Sequence, residues 1–417
     1  MSVVDQPLIL GENLSLEPFP QQHPDASSST ILIVGGGVTG LINAWVLLDR
    51  GYHVTVVSKE WASFTDQQRL TSQIAGALWE FPPAVCGQHT DILSLKKSKH
   101  WCMVAYDIWA AIASNASLAA LAGVQMRASN FFFPCPIEDL PAQHHKMKEI
   151  ANSGVHGFSR SAESIHKHGI DPRYGAVDAY EHLAPVIDTD RSKNKNSSAA
   201  LQPTSILNCT GLSALSLAGD KTCYPLRGAL IRVVNDGTDF PKVESSLAIT
   251  ADAAQDNEIV FIVPRNDNIL LIGGVAQPGR WDLDLTLESP EIKRMRTRAE
   301  AFLPSLKHAR LDPEYPIAQG LRPAREKNIR VERELRTRTV DLHGEPTEEA
   351  SRLIHDYGHG GSGWSLSFGC AADVANLVED VLHNLPASRM KGPEKAAVED
   401  TRLATVSEQS GPIRARL

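Results

Sequence analysis

The sequence has no apolar run that approaches the roughly 20 residues of a membrane-crossing helix, which excludes a membrane-spanning protein. It also has no basic surplus, because 41 Lys and Arg stand against 49 Asp and Glu and give a net charge of −8. This balance argues against a nucleic-acid binder. No CxxC spacing occurs, so we expect reduced thiols and no zinc site among the six cysteines, Cys86, Cys102, Cys135, Cys209, Cys223 and Cys370.

The composition is that of a soluble globular protein, with 42% hydrophobic and 22% charged residues. At about 150 residues per domain, 417 residues predict two to three domains, or one large core split into lobes. Residues 1–30 lack the apolar segment of a secretory signal, and we expect them to form a flexible leader. The fifteen histidines show no ligand spacing such as H-E-x-x-H, so no metal site is predicted.

The most informative segment begins at Ile31. The β-branched run Ile31–Val34 predicts a buried strand and leads directly into Gly35-Gly36-Gly37-Val38-Thr39-Gly40, a G-x-G-x-x-G motif. An apolar helix to about Leu48 and a second strand, Val54–Val57, complete a βαβ unit. In this context Gly35 makes the turn, Gly37 admits a pyrophosphate and Gly40 lets helix and strand pack. The alternative is a glycine-rich turn that binds nothing.

The acidic residue that usually holds a ribose hydroxyl is absent from the end of the second strand. Ser58, Lys59 and Glu60 follow Val57, so either Glu60 reaches the ribose or Lys59 contacts a phosphate. The motif by itself does not separate NAD from FAD.

Four further segments, in order along the chain, resemble motifs of the D-amino acid oxidase family, which includes D-aspartate oxidase. Thr71–Glu80 resembles its Thr-rich, Ala-Gly-Leu-Trp loop, and Asn208-Cys209-Thr210-Gly211 its V-N-C-T-G strand end, with Pro225-Leu226-Arg227-Gly228 beyond. Gly320–Arg325 resembles G-x-R-P-x-R. His355–Ser365 resembles H-N-Y-G-H-G-G-x-G. The resemblance therefore extends from Ile31 to about Leu382.

This resemblance implies an α/β fold: a Rossmann-type FAD-binding domain with a parallel sheet, interleaved with a smaller α+β substrate domain on an antiparallel sheet. It implies FAD as cofactor and oxidation of an amine carbon to an imine, with hydrolysis to a 2-oxo acid and ammonia and release of hydrogen peroxide. No general base is required, because the protein mainly positions the substrate. The expected cofactor-binding residues are Gly35, Gly37, Val38, Thr39, Gly40, Lys59, Ser72, Gly76, Ala77, Leu78, Gly360, Gly361, Gly363, Trp364 and Ser365.

Three residues are expected at the substrate. By resemblance Arg322 pairs with the substrate carboxylate in a two-pronged geometry that guanidinium provides. Phe261 and Asn257 stand where the family places two tyrosines, and Ser362 stands where a bulky residue is common. We therefore expect a substrate that is larger or less polar than a common D-amino acid, or a secondary amine. A helix from Trp364 to Val378 is predicted to point its N-terminus at the flavin.

A second departure concerns Asp190 to Ala200, DRSKNKNSSAA. The family places a helix and a strand there, beside the adenosine, and eleven polar residues leave no room for them. Either a segment was lost or the gene model skips an exon. If the chain is real as written, we expect a hole beside the cofactor and weaker flavin binding, poor folding or inactivity.

The predicted organisation interleaves two units. The FAD-binding domain comprises 31–120, 200–215 and 352–383, and the substrate domain comprises 121–190 and 216–351. Residues 384–417 form a flexible tail ending in Ala415-Arg416-Leu417, which resembles a peroxisomal address. A fungal-like peroxisomal oxidase is therefore expected, or a cytoplasmic one if the tail is not recognised. Expected partners are a small amine or amino acid, oxygen and the peroxisomal import receptor, with a homodimer as a further expectation. Open alternatives are an oxidase of glycine-like or N-alkyl amines and a catalytically inert flavin-fold module.

Overall fold

The computed structural model describes residues 24–63, 69–83, 92–190, 203–249, 259–342 and 345–387. The helices in these ranges are α1 Val38–Asp49, α2 Thr71–Ile74, α3 Ile92–Ser114, α4 Ala116–Ala122, α5 Pro141–Ala151, α6 Glu163–Lys167, α7 Ala214–Leu217, α8 Pro290–Phe302 and α9 Gly363–Leu382. The strands are β1 Thr30–Val34, β2 His53–Val57, β3 Val124–Phe133, β4 Ser159–Arg160, β5 Asp178–Ile187, β6 Ser205–Asn208, β7 Cys223–Val234, β8 Ser246–Ile249, β9 Val260–Pro264, β10 Ile269–Gly273, β11 Gln277–Pro278, β12 Ile317–Arg325, β13 Arg330–Arg333, β14 Thr337–Leu342, β15 Glu345–Ala350 and β16 Leu353–Tyr357.

The first sheet has the strand order β13-β16-β6-β1-β2 and is parallel except for β13. Its central strand is β6, and the neighbouring β1 carries Ile31 and Ile33, which are fully buried. The β1–α1–β2 unit confirms the predicted βαβ segment, and α1 ends just before Gly51, whose positive φ of 79° terminates the helix. The carboxyl ends of β1 and β6 therefore meet at one edge, where such sheets bind ligands.

The second sheet is mostly antiparallel and runs β11-β7-β10-β9-β8-β3-β5-β4, with β12 also paired to β7. The predicted two-sheet α/β fold is confirmed. The sequence predicted a smaller second unit, but the second sheet has nine strands and the first has five. One boundary was wrong. Arg330–Arg333 falls in the range 216–351 predicted for the substrate domain, yet as β13 it pairs with β16 in the first sheet. A four-residue strand carries no local signal of its distant partner.

The long helix α9 packs against α1 and α3 and closes the core of the first unit. It extends the helix predicted from Trp364 to Val378 by a residue at its start and four at its end. A side chain at Gly369 would collide with the backbone of Trp101, so this glycine sets the close approach of α9 and α3. Within the described residues no single helix is long and apolar enough to cross a membrane; only α3 and α4 pass that test, as a pair bent by 114°.

The connection between β5 and β6 comprises residues 188–204. Residues 191–202, on which the predicted loss of a helix and a strand falls, lie outside the described ranges. Asp190 is paired with Arg69 and Arg232, at 3.2 and 2.9 Å, and the amide of Thr204 donates to the carbonyl of Thr30 at 2.7 Å. Among described strands, β2 has β1 as its single neighbour and forms an edge of the sheet.

Candidate active site

A cavity of about 620 Å³ lies between the two sheets, at the carboxyl ends of β1 and β6. The residues predicted to contact cofactor or substrate line this cavity, except Gly40, which is not among the lining residues, and Asn257, which lies outside the described residues. The cavity therefore brings together predicted residues from segments that are more than 300 residues apart in the chain.

The β1–α1 turn forms one end of the cavity and fits a pyrophosphate. Gly35 has a φ of +124°, and a Cβ there would overlap the carbonyl of Cys209. Gly37 precedes α1 without a side-chain cap, which leaves the helix N-terminus available to an anion. The hydroxyl of Ser72 accepts from the amide of Val38 at 3.0 Å and holds the second predicted loop beside this turn. These features are the cradle that a dinucleotide requires.

Lys59 and Glu60 lie at the mouth of the same end. Their side chains are 91% and 65% exposed and form an ion pair of 3.3 Å. Ser58 orders the segment, since its hydroxyl accepts from the amide of Gly36 at 3.1 Å and donates to the carbonyl of Glu60 at 2.6 Å. Both residues line the cavity, so contact of Glu60 with a ribose and of Lys59 with a phosphate both stay predictions.

The loop that starts with α2 passes between the sheets. Thr71 donates from its hydroxyl to the carbonyl of Leu321 at 3.1 Å, and the indole of Trp364 donates to the carbonyl of Ser72 at 3.0 Å. Gly76 allows the ring of Phe261 to lie against the loop, because a Cβ there would be 2.5 Å from the ring carbon Cε1. Phe261 thus joins the cofactor loop to the substrate side of the cavity.

The N-terminus of α9 forms the other wall. The glycine-rich loop before it reverses at Gly358 and Gly360, with φ of 89° and 57°, and the amide of Gly360 donates to the carbonyl of Pro323 at 2.9 Å. Ser362 occupies the N-cap position without capping the helix through its side chain. A 20-residue helix therefore begins at the cavity, as predicted, where its dipole favours negative charge.

Arg322 reaches the cavity from β12. Its Nη1 donates to the carbonyl of Val275 at 3.1 Å, and no carboxylate of a described residue lies within ion-pair distance. The other lining arginine, Arg69, is committed to Asp190 at 3.2 Å and stacks over the ring of Tyr315 at 3.9 Å. Arg322 is therefore the guanidinium available to an anionic ligand among the described lining residues.

Sequence reasoning missed a buried polar cluster behind the glycine-rich loop. Oδ2 of Asp356 accepts from the side-chain Nδ2 of Asn43 at 2.7 Å, and its Oδ1 lies 3.2 Å from Nε2 of His359. With Cys370 these groups place three metal-ligand types within 4.8 Å of one another. The sequence predicted no metal site. In the structure Oδ2 of Asp356 accepts from Asn43, whereas the buried Oδ1 lies near His359 without a hydrogen bond from a described residue. The signal for the cluster was Asp356 itself, which stands where the family motif has asparagine.

The nucleotide turn, the helix N-terminus at its end and the apolar cavity between two sheets fit a protein that binds a dinucleotide cofactor. The family model described as FAD dependent oxidoreductase, DAO, matches residues 30–130 and 159–377, and the chain belongs to this family. FAD is its cofactor.

The chain is similar to known proteins over nearly the full length of those proteins. The chain is 27% identical over 365 residues to a D-amino-acid oxidase of Rubrobacter xylanophilus, covering 83% of this chain and 94% of that one. Its fold is similar to L-alpha-glycerophosphate oxidase of Mycoplasma pneumoniae with FAD bound (TM-score 0.59, 15% identity, 85% and 95% covered). It is also similar to glycine oxidase of Bacillus cereus (TM-score 0.58, 16% identity, 87% and 100% covered).

Proposed function

We propose that this protein is an FAD-dependent oxidase of D-amino acids with apolar side chains. The reaction converts the amino acid, oxygen and water to a 2-oxo acid, ammonia and hydrogen peroxide. The observation that carries the proposal is Arg322, a guanidinium without a described carboxylate partner, facing an apolar cavity beside the nucleotide turn. The relation to the D-amino-acid oxidase of Rubrobacter xylanophilus supports the same activity.

The chain's own residues bind, orient and exclude water. Arg322 holds the substrate carboxylate through charge-assisted hydrogen bonds, which fixes the amine carbon relative to the cofactor. Leu230, Ile259, Phe261 and Val275 line the cavity and keep water from the substrate. FAD, when bound, supplies the two-electron acceptor and the route to oxygen.

The lining also supports the preference for a less polar substrate. Phe261 carries no hydroxyl, so it offers the substrate surface area and no hydrogen bond. Since Arg69 is already paired, the described lining contains no second guanidinium for a side-chain carboxylate, which disfavours D-aspartate. A second candidate is oxidation of a secondary amine, favoured by the small Ser362 at the cavity wall.

The test is a panel of D-amino acids, glycine and N-alkyl amino acids, assayed for peroxide with the FAD-loaded protein. We expect Arg322→Lys to raise KM by about 10- to 100-fold, because a two-pronged charged hydrogen bond is lost, while FAD affinity is unchanged. Arg173→Lys is the matched control, since Arg173 is exposed, pairs with Asp171 and is not among the residues that line the cavity. Protein that takes up no FAD would instead favour the inert module.

The proposal includes import into peroxisomes through Ala415-Arg416-Leu417, which lie outside the described residues. A peroxide-forming activity supports this location, and the import receptor is the expected partner. An amino-terminal fluorescent fusion should colocalise with a peroxisomal marker and become diffuse when the three residues are deleted. A fusion that is diffuse with the tail intact would overturn the proposal. Homodimer formation likewise remains a prediction, which light scattering of the purified protein tests.

A further inference from the structure

The neighbours of Arg322 on the sheet determine where its guanidinium lies. In the antiparallel pair of β12 and β7, Arg322 stands opposite Leu226, and Gly320 stands opposite Gly228. Because side chains alternate between the faces of a sheet, all four positions lie on one face. Two of them are glycines that face each other, which leaves a bare area of backbone beside Arg322.

The Arg322 guanidinium lies directly over this bare backbone. A Cβ built on Gly228 would be 2.1 Å from Nη1, 2.4 Å from Cζ and 2.5 Å from Nη2 of Arg322. All three distances are below the 3.0 Å that real Cβ contacts respect, so any side chain at this position excludes the observed guanidinium position. The backbone torsion of Gly228 lies outside the positive-φ region, and the requirement for glycine is therefore spatial.

A hydrogen bond also holds the Arg322 guanidinium. Nη1 of Arg322 donates to the carbonyl of Val275 at 3.1 Å. Val275 belongs to residues 274–285, a segment that we call the strap. The buried Arg227 anchors the strap through Gln277 and the carbonyl of Asp282, at 2.8 and 3.0 Å. The strap that carries the Val275 carbonyl is thus tied to β7, the strand that also contains Gly228.

We propose that Gly228 is a positioning residue, which together with the Val275 carbonyl holds the Arg322 guanidinium flat for a two-pronged contact with a carboxylate. The inference rests on the proposed function, because that function gives Arg322 its carboxylate ligand. Gly228 is itself part of the cavity lining, and the role proposed for it is exerted through Arg322.

The test is a double-mutant cycle on Gly228→Ala and Arg322→Lys, with benzoate as the carboxylate probe. Benzoate binding is read from the absorption spectrum of the FAD-loaded protein and needs no turnover. We expect Gly228→Ala to weaken benzoate binding and to raise the substrate KM by about 10- to 100-fold, the cost of a lost charged hydrogen bond. In the Arg322→Lys background, where no guanidinium lies over residue 228, Gly228→Ala should change the benzoate Kd and the substrate KM by less than about threefold.

Gly320→Ala is the matched control on the facing strand. A Cβ at Gly320 would meet Ile74 at 2.5 Å and not Arg322, so its effect should be the same in the wild-type and the Arg322→Lys backgrounds. Equal effects of Gly228→Ala in both backgrounds would overturn the proposal. If Gly228→Ala does not fold, recovery of folding in the double variant supports the clash with the guanidinium, and failure of both overturns it.

The proposed function and the positioning role fail in different ways. A wild-type protein that binds benzoate and oxidises no amine contradicts the proposed function, while the cycle on benzoate still decides the role of Gly228. A wild-type protein that binds FAD but no carboxylate contradicts both.

Discussion

Replacing Gly40 by alanine sets two physical effects against each other. Alanine in a helix is favoured over glycine by up to about 1 kcal/mol. A Cβ at Gly40, however, would lie 1.9 Å from the carbonyl oxygen of Gly35, and ordinary contact begins near 3.4 Å. The helix or the turn must therefore move by more than 1 Å, and such overpacking costs about 1–3 kcal/mol. We expect the steric cost to prevail and the apo protein to lose about 1 kcal/mol of unfolding free energy.

The larger effect should fall on the cofactor. The movement displaces the turn that cradles the pyrophosphate, and loss of one or two charged hydrogen bonds weakens FAD binding by about 100-fold. FAD at 100 times its Kd stabilises the wild-type protein by about 2.7 kcal/mol, and at the same concentration this gain should almost vanish in the variant. Thermal denaturation with and without added FAD measures both quantities.

Gly369→Ala is the matched control for Gly40→Ala. It is also a helical glycine without space for a side chain, but its Cβ would meet the backbone of Trp101 in α3. It should lower the stability of the apo protein and leave the gain on FAD addition intact. A Gly40→Ala protein that keeps the wild-type gain would refute the reasoning, because the turn would then tolerate the displacement.

Two predictions concern buried charges. Burial alone would raise the pKa of Asp220, but hydrogen bonds from Thr222 and the charge of Arg325, 2.9 Å away, lower this pKa to about 2. The carboxylate therefore stabilises the fold above pH 4 and loses this effect as the pH falls toward 2. Asp220→Asn should lower the unfolding free energy by about 3–5 kcal/mol at pH 7, measured by urea denaturation, and should reduce its decrease between pH 4 and pH 2. Burial lowers the pKa of His182 to about 4, so the unfolding free energy should fall by about 3 kcal/mol between pH 6.5 and pH 4. His182→Phe keeps the stacking on Phe131 and should remove this pH dependence, which thermal denaturation at several pH values measures.

The sequence-predicted features that the structure contains belong to contiguous segments. Gly35, Gly37 and Gly40 are separated by fixed numbers of residues in one strand–turn–helix unit, so their geometry follows from local backbone sterics. The helix after Gly363 was predicted for the same reason, since a run of small apolar residues after a glycine-rich loop forms a helix locally.

What the sequence missed depends on pairing between distant segments. The four-residue strand β13 belongs to the first sheet because it pairs with β16, and the residues of β13 alone do not indicate this pairing. The cluster of Asp356, His359 and Cys370 forms because β16 and α9 pack together, although the three residues have no ligand spacing along the chain.

The sequence by itself determined the strand–turn–helix unit around Gly35 and placed Arg322 in a segment that resembles the family's G-x-R-P-x-R motif, because both are properties of short, contiguous segments. Only the tertiary structure decided what that arginine can do. Its guanidinium lies flat over Gly228 and contacts Val275 because β7, β12 and the strap meet at one face of the second sheet. Such contacts depend on register between strands about 90 residues apart, which local preferences do not specify.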